Sequence, residues 1–439
     1  MPASVSAPAA TARKRQRFPA MSYPGFRVFL LGQFMSLVGT WMQNTVLPYL
    51  AYRITGQPIY LGLVAFAGSL PSLLLTLPAG VWVEHLDKRK TVIAMQAVMM
   101  VQAFLLAALA LAEVINIWHI IALALVLGSA NAIEITARQT MQSELVGREA
   151  IPSAIALNGA AFNLARVIGP SLSAPFLLLM AGGGEGWAFA ANGVSYLFVI
   201  IGLLILPHLS KGRIMDADNE APAPKTAAMD AFRDGQRFIR NHGLAQMVII
   251  MAAVLGFIGW PAVQQIPVFA RDVLGQVGDL EAAVAARNSL LVTAQGVGAL
   301  VASILLSWFA HAKRKGLWMI IGQITFALSI LGMAFSRSLP LSAALMVVGG
   351  WGMVTQNNNA NQILQITVPR AYRARVFSTY LFALQGVTPF GSLLAGVIAQ
   401  YYGAPAVALL SGVACLTVAI GGNLLSSRLR DYRLEDPVA

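Results

Sequence analysis

The chain has 439 residues, 57% of them hydrophobic and only 11% charged, with a mean hydropathy of +0.68. An ordinary globular domain carries about a quarter charged residues, so this chain cannot cover itself with water-facing groups, and a soluble domain is excluded. A net charge of +12 and a pI near 10.1 raise nucleic acid as a partner, but the sequence has no basic cluster beside a reading element, and that class is set aside.

The first twenty residues, MPASVSAPAATARKRQRFPA, are basic with no apolar stretch directly behind them, and read as a retained cytoplasmic tail. Beyond the tail lie twelve stretches with the roughly 20 apolar residues that a helix needs to cross a bilayer core. They cover 28–52, 60–83, 91–113, 117–137, 151–181, 187–207, 244–270, 286–310, 316–336, 341–367, 374–401 and 404–426. Eleven or thirteen spans are the alternative, because 151–181 is long.

Intramembrane polar side chains need partners, so they face the bundle or a wet cavity. In span one, Gln33, Ser36, Thr40 and then Gln43 or Asn44 form a stripe at helical spacing, either a cavity wall or a row of helix-to-helix hydrogen bonds. After span two, GVWVEHLDKRK (80–90) gathers Glu84, His85, Asp87, Lys88, Arg89 and Lys90 into one connector. Gly80 lets two helices approach closely, and the charges anchor the loop among headgroups. In span four, Asn131, Glu134 and Arg138 stand three and four apart. Glu134 falls about 24 Å beyond Trp118 and is the acid placed clearly inside the core, hence the candidate proton carrier. Local pairing of Glu134 with Arg138 is the other reading. In span five, Arg166 lies well inside with no acid at matching depth. It either attracts an anionic substrate or braces helix carbonyls.

The connector 208–243 holds DADNEAPAPK, a linker composition, and then MDAFRDGQRFIR. There Met229, Phe232 and Ile239 share a helical face beside Arg233, Arg237 and Arg240, as in a helix lying on a membrane surface. The chain thus divides into a tail (1–25), a six-helix bundle (26–207), the linker (208–243), a second bundle (244–427) and a C-terminal tail (428–439). In span seven Gln264 and Gln265, beside Trp260, are cavity candidates. Span ten carries TQNNNANQILQ, whose Asn357, Asn361 and Gln365 share a face.

Only Arg53, Arg271, Arg287 and Arg337 fall in the loops of one side, and Arg166 within a span; the remaining 25 of 30 lysines and arginines lie on the other side. The positive-inside rule makes that side cytoplasmic, with both termini there. Cys415 is the one cysteine and the five histidines lack metal spacing, so no disulfide and no metal site is expected. No GxxxxGK[ST], GxSxG or HExxH occurs, and an enzyme is not expected.

The halves echo one another. VWVEHLDKRK (81–90) aligns with SWFAHAKRKG (307–316), RQTMQ (138–142) with NQILQ (361–365), and VIGPSLSA (167–174) with VTPFGSLLAG (387–396). All fall at equivalent span boundaries, as in transporters built from two parallel repeats around a central site. The alignment sets Glu134 and Arg138 near Asn357 and Asn361, and these faces are expected to meet at an inner rim or cytoplasmic gate.

GVWVEHLDKRK resembles the loop after the second span in the major facilitator superfamily, roughly Gly-x-x-x-Asp-Arg-x-x-Arg-Arg, with Glu84 for the acid and His85 for the first basic residue. The stretches 138–170, PVFARDVLG (267–275) and LQITVPRAYRARVFS (364–378) resemble the exporter branch of enterobactin-exporter-like and transmembrane secretion effector proteins. The resemblance covers about 26–426. It implies that Gly80, Glu84, His85, Lys88 and Arg89 latch the halves when the cytoplasmic side is closed; plain headgroup anchoring is the other reading. It also implies that Gly169 and Pro170 form a helix-bend motif, although Ser173 and Ala174 replace its later glycines.

The expected fold is therefore an all-α polytopic membrane protein, twelve helices in two six-helix parallel repeats. The expected function, its direction and substrate class implied by the resemblance, is export of a small amphipathic molecule, a drug-like compound or siderophore. The expected setting is a bacterial cytoplasmic membrane, with no bound cofactor and the proton motive force as the drive. Uptake of a metabolite and a non-transporting scaffold remain the alternatives. The expected partners are the substrate and the lipid, and the chain is expected to act as a monomer.

Overall fold

The structure, a computed structural model, describes residues 18–179, 183–206, 228–308 and 314–425. Six long helices form the first half: α1 (Pro24–Thr55), α2 (Pro58–His85), α3 (Lys88–Leu111), α4 (Ile117–Glu144), α5 (Ile151–Leu179) and α6 (Gly184–Ile205). Their ends are set locally. Prolines open α1 and α2, where a missing N–H costs nothing. Gly56 closes α1 in the left-handed conformation, φ 63°. The Asp87 carboxylate accepts the Lys90 N–H at the start of α3, and Asn116 and His119 form a reciprocal cap on α4.

Next comes the short α7 (Ala228–Asn241), then α8 (Gly243–Val273), α9 (Glu281–Trp308), α10 (Lys315–Phe335) and α11 (Leu339–Thr367). The chain then runs through α12 (Arg370–Leu381) and a wide π turn at Phe382–Gly386 into α13 (Thr388–Leu425). Two more wide turns, Leu255–Gly259 and Phe269–Val273, interrupt α8. At Gly403 the backbone takes φ 78° and ψ 163°, a conformation for which only glycine is suited. The chain folds back there: Gly391 and Ser411 both meet α8, at Phe257 and Ile258.

Ten described helical runs are long and apolar enough to cross a membrane. Two features bring this into line with twelve crossings. Arg375–Gly422 is 48 residues broken at Gly403. α1, at 32 residues, is about 48 Å long, but its amide and hydroxyl stripe lowers its hydropathy. The spans differ from expectation mainly at their polar ends, where α4 runs on to Glu144 instead of ending at 137. A helix continues as far as its backbone is satisfied, beyond the point where its side chains stop being apolar. Among the described residues there is no strand.

The helices of each half pack side by side, though not in chain order. α2 packs on α4, α4 on α3, α3 on α6, α6 on α1, and α1 on α5. In the second half α9 and α10 flank α11, while α13 lies against α10 and α8. The broadest contacts between the halves are those of α5 with α9 and of α2 with α13. The α2–α13 contact is close enough to need glycine: a Cβ on Gly396 would sit 3.2 Å from the Gly62 backbone. We call the face holding residues 18–24 and 86–87 the tail face, and the opposite one the far face. α7 docks on the tail-face end of the second half through Phe238, stacked on Tyr372 at 4.9 Å, and the buried Ile239. Asp234 pairs with Arg375 at 3.5 Å. The surface helix expected from sequence is thus anchored to protein; the side chains of Met229 and Phe232 lie outside the described residues. The lone thiol, Cys415, is sealed inside α13, and its carbonyl accepts from Gln323.

Candidate functional site

Among the described residues, the hydrogen bonds and ring contacts that join the halves lie at mid-membrane or toward the far face. The Tyr52 hydroxyl donates to Asp272 at 2.5 Å, and Tyr49 to both the carboxylate and the carbonyl of Glu281 at 3.1 Å. Arg271 holds the same Glu281 carboxylate. Deeper in, Asn288 donates to the Thr45 carbonyl, Ser173 meets Ser289 at 2.8 Å, and Ser171 donates to Thr293. Phe66 lies edge-on to Phe390 at 5.8 Å. Beside this clasp, in the far-face connector, Asp279 accepts the Gln276 backbone N–H and pairs with Arg287, and these contacts hold its carboxyl below the usual carboxylate range. The ties between the halves close the space between them at the far face.

The mid-membrane floor of the space between the halves is built around Arg166, halfway along α5. Its guanidinium stands 5.3 Å from the ring of Trp41 on α1 and 5.6 Å from that of Trp260 on α8, one ring from each half. Arg166 is 6% exposed, and its Nη2 has no hydrogen-bond partner. Backbone approach fixes the arrangement. A Cβ on Gly169 would fall 2.6 Å from the Trp41 Cβ, and one on Gly296 would fall 2.7 Å from the Arg166 carbonyl oxygen. Pro170 sits inside α5 directly after Gly169. Phe162, one turn toward the tail face, meets Trp41 edge-on at 5.5 Å. Arg166 therefore braces the floor through rings, not through helix carbonyls.

The stripe on α1 turns into the first half. Ser36 donates to Gln96, Thr40 meets Tyr196 at 3.4 Å, and Gln43 donates to Gln102 and accepts from Asn192 at 2.7 Å. Gln33 is buried with its Oε1 unpartnered, and Asn44 alone of the set is exposed. For Ser36, Thr40 and Gln43 this is the helix-to-helix hydrogen-bonding arrangement. The chain continues to the buried Glu134, which accepts from Gln96 at 3.1 Å and from the Arg138 Nε at 3.1 Å and 3.2 Å. Gln96 and Gln102 on α3, and Asn192 and Tyr196 on α6, are members that sequence reasoning missed. The i, i+3, i+4 run of Asn192, Ser195 and Tyr196 was the available signal.

The remaining predicted residues fall in three places. Gln264 accepts from Ser392 at 2.7 Å, and Gln265 is fully buried with both amide atoms unpartnered. On α11 Asn361 accepts from Gln365 at 2.5 Å, and the half-buried Asn357 has an unpartnered Oδ1. Asn131 is exposed. α4 and α11 do not pack along one another, so the faces of Glu134 and Asn357 are apart here. At the tail face Lys88 pairs with Glu144 at 3.4 Å and Arg89 donates to the Leu204 carbonyl, both within the first half; His85 is exposed. The surroundings of Gly80 and Glu84 lie outside the described residues. Among the described residues no group of acids, histidines and cysteine could hold a metal.

Polytopic helices in two halves that meet at an aromatic floor at mid-membrane are the architecture of a transporter of the major facilitator type. The chain belongs to the transmembrane secretion effector family, whose sequence pattern matches residues 16–437. Its relatives include the enterobactin exporter EntS of Shigella flexneri, 23% identical over 95% of both chains. The staphyloferrin A transporter of Staphylococcus aureus is 21% identical over 93% of this chain and 98% of its own. The multidrug efflux pump Tap of Mycolicibacterium fortuitum is 23% identical over 90% and 94%. The fold is similar to that of a bacterial homologue of the human lysosomal transporter Spinster, solved inward-facing and unoccupied. The TM-score is 0.67 at 15% identity, over 94% of this chain and 99% of that one.

Proposed function

We propose that the protein exports a small amphipathic molecule, drug-like or a siderophore, across a bacterial cytoplasmic membrane by alternating access driven by proton entry. The excess of basic residues on the tail face supports a cytoplasmic tail face with both termini there. In that orientation the Tyr49 and Tyr52 clasp is the closed outer gate and the space between the halves receives substrate from the cytoplasm. The observation that carries this reading is the aromatic floor of Trp41, Arg166 and Trp260 at mid-membrane, assembled from both halves. The names of the relatives, a siderophore exporter and a drug pump among them, support the substrate class.

Glu134 is the residue we assign to proton coupling, since it is buried, bonded to Gln96 on α3 and through that amide to Ser36 on α1. In the opposite state, Gly80, Glu84, His85, Lys88 and Arg89 are assigned to the inner latch, and the faces of Glu134 and Asn357 come together as the inner gate. One chain suffices for this cycle. The test is a susceptibility screen of deletion and overexpression strains against a panel of amphipathic drugs. Export gives resistance on overexpression and sensitivity on deletion. Sensitivity on overexpression would replace export by uptake, and no change in either strain would leave only a scaffold.

A further inference from the structure

The mid-membrane floor carries a positive charge that its surroundings leave uncompensated. A guanidinium presents five N–H donors and no acceptor. Arg166 is almost wholly buried, its Nη2 has no partner, and both its flanking contacts are ring faces. Ring faces attract a cation but do not substitute for an acceptor in the plane of the guanidinium. The acids of neighbouring levels are committed elsewhere. Glu134 holds Arg138 and Gln96, Asp272 holds Tyr52, Glu281 holds Tyr49 and Arg271, and Glu185 holds Arg53. Among the described residues no carboxylate is placed to neutralise Arg166.

We infer that the transported substrate is an anion, an amphipathic aromatic acid whose acid group is taken by Arg166 while its ring replaces an indole contact on the guanidinium. This rests on reading the protein as an exporter of a small amphipathic molecule. A carboxylate accepts from a guanidinium through paired, charge-assisted hydrogen bonds, supplying the acceptor that the floor lacks. A cationic amphipath meets the opposite situation, since the faces of Trp41 and Trp260 are already occupied by a positive charge. The arrangement also couples binding to movement. Trp41 and Trp260 belong to different halves, so an acid group that draws Arg166 away from Trp260 loosens the contact that must part before the far face opens. Substrate thereby shifts the equilibrium through a contact made in one state and not in the other.

The test uses the purified full-length chain and three dansyl probes: dansyl-phenylalanine, its uncharged amide, and the cation dansyl-cadaverine. Binding is read as energy transfer from tryptophan. In the wild type the anion is expected to bind at least about tenfold more tightly than the cation, the range for a hydrogen bond to a charged group. Arg166→Gln is expected to erase that preference and Arg166→Lys to keep part of it. A wild-type protein that binds the cation as tightly as the anion overturns the inference, and this comparison needs no variant to fold. So does an Arg166→Gln protein of unchanged melting temperature and unchanged anion affinity. Proteoliposomes with an imposed pH gradient judge the underlying reading separately. If the cation is pumped and the anion is not, the anion site falls and export stands. If no probe moves although anion binding depends on Arg166, export falls and the site stands.

Discussion

Arg166 owes its position to two glycines as much as to its own side chain. Gly169 brings α1 against α5 so that Trp41 reaches the guanidinium, and Gly296 brings α9 of the other half onto the Arg166 carbonyl. Gly169→Ala should therefore overpack the α1–α5 contact at a cost of about 1–3 kcal/mol and lift Trp41 from the guanidinium; a lowered unfolding temperature with altered tryptophan emission would show it. At Glu134 the expectation concerns function. Glu134→Gln should abolish the pH dependence of transport while the protein still inserts, and pH-dependent export by that variant, measured in everted vesicles, would end its assignment. Single residues were legible in the sequence as types and spacings but not as destinations. The Gln33-to-Gln43 stripe has one periodicity whether it faces water or α3 and α6, and only the neighbouring helices decide. Trp41 was silent for a related reason, since a tryptophan in an apolar run is indistinguishable from packing until Arg166 is placed beside it.

The wide turns of α8 are the element-scale counterpart. A π turn adds a residue to a helix without ending it, and each added residue rotates the next stretch of helix by about 100°. The turn at Leu255–Gly259 directly precedes Trp260 and so aims its ring at Arg166. Deleting Ile258 should restore regular helix, swing Trp260 off the guanidinium and abolish transport, while the protein keeps its elution volume on size-exclusion chromatography. Transport at the wild-type rate would show that the turn is incidental. Apolar length located the spans and separated 374–401 from 404–426, where the chain reverses at Gly403. The sequence was blind to these turns because hydrophobic composition is unchanged by where the backbone widens. The opposite failing applies to α7: its two-faced pattern was plain, but a stripe cannot say whether lipid or Tyr372 covers it.

At the scale of the whole molecule the halves are held by a clasp at one face. Removing the Tyr49 and Tyr52 hydroxyls deletes hydrogen bonds to carboxylates worth about 1.5–3 kcal/mol each, so the double Phe variant should shift the population toward far-face opening by at least about tenfold. Ser173→Cys, buried at the α5–α9 contact, would report this by faster reaction with an impermeant maleimide added from the far side; an unchanged rate would remove the clasp from the gating cycle. The two-half architecture was readable from repeats and basic loops. The state was not, because sequence records both ends of a switching cycle without saying which is populated. That experiment is easier than in most proteins of this size. Since Cys415 is shielded from reagents by its own bundle, nature has in effect supplied a background free of reactive sulfur. Spectroscopic labels can be attached in pairs, one on each half, and opening followed as a distance in the otherwise unaltered polypeptide.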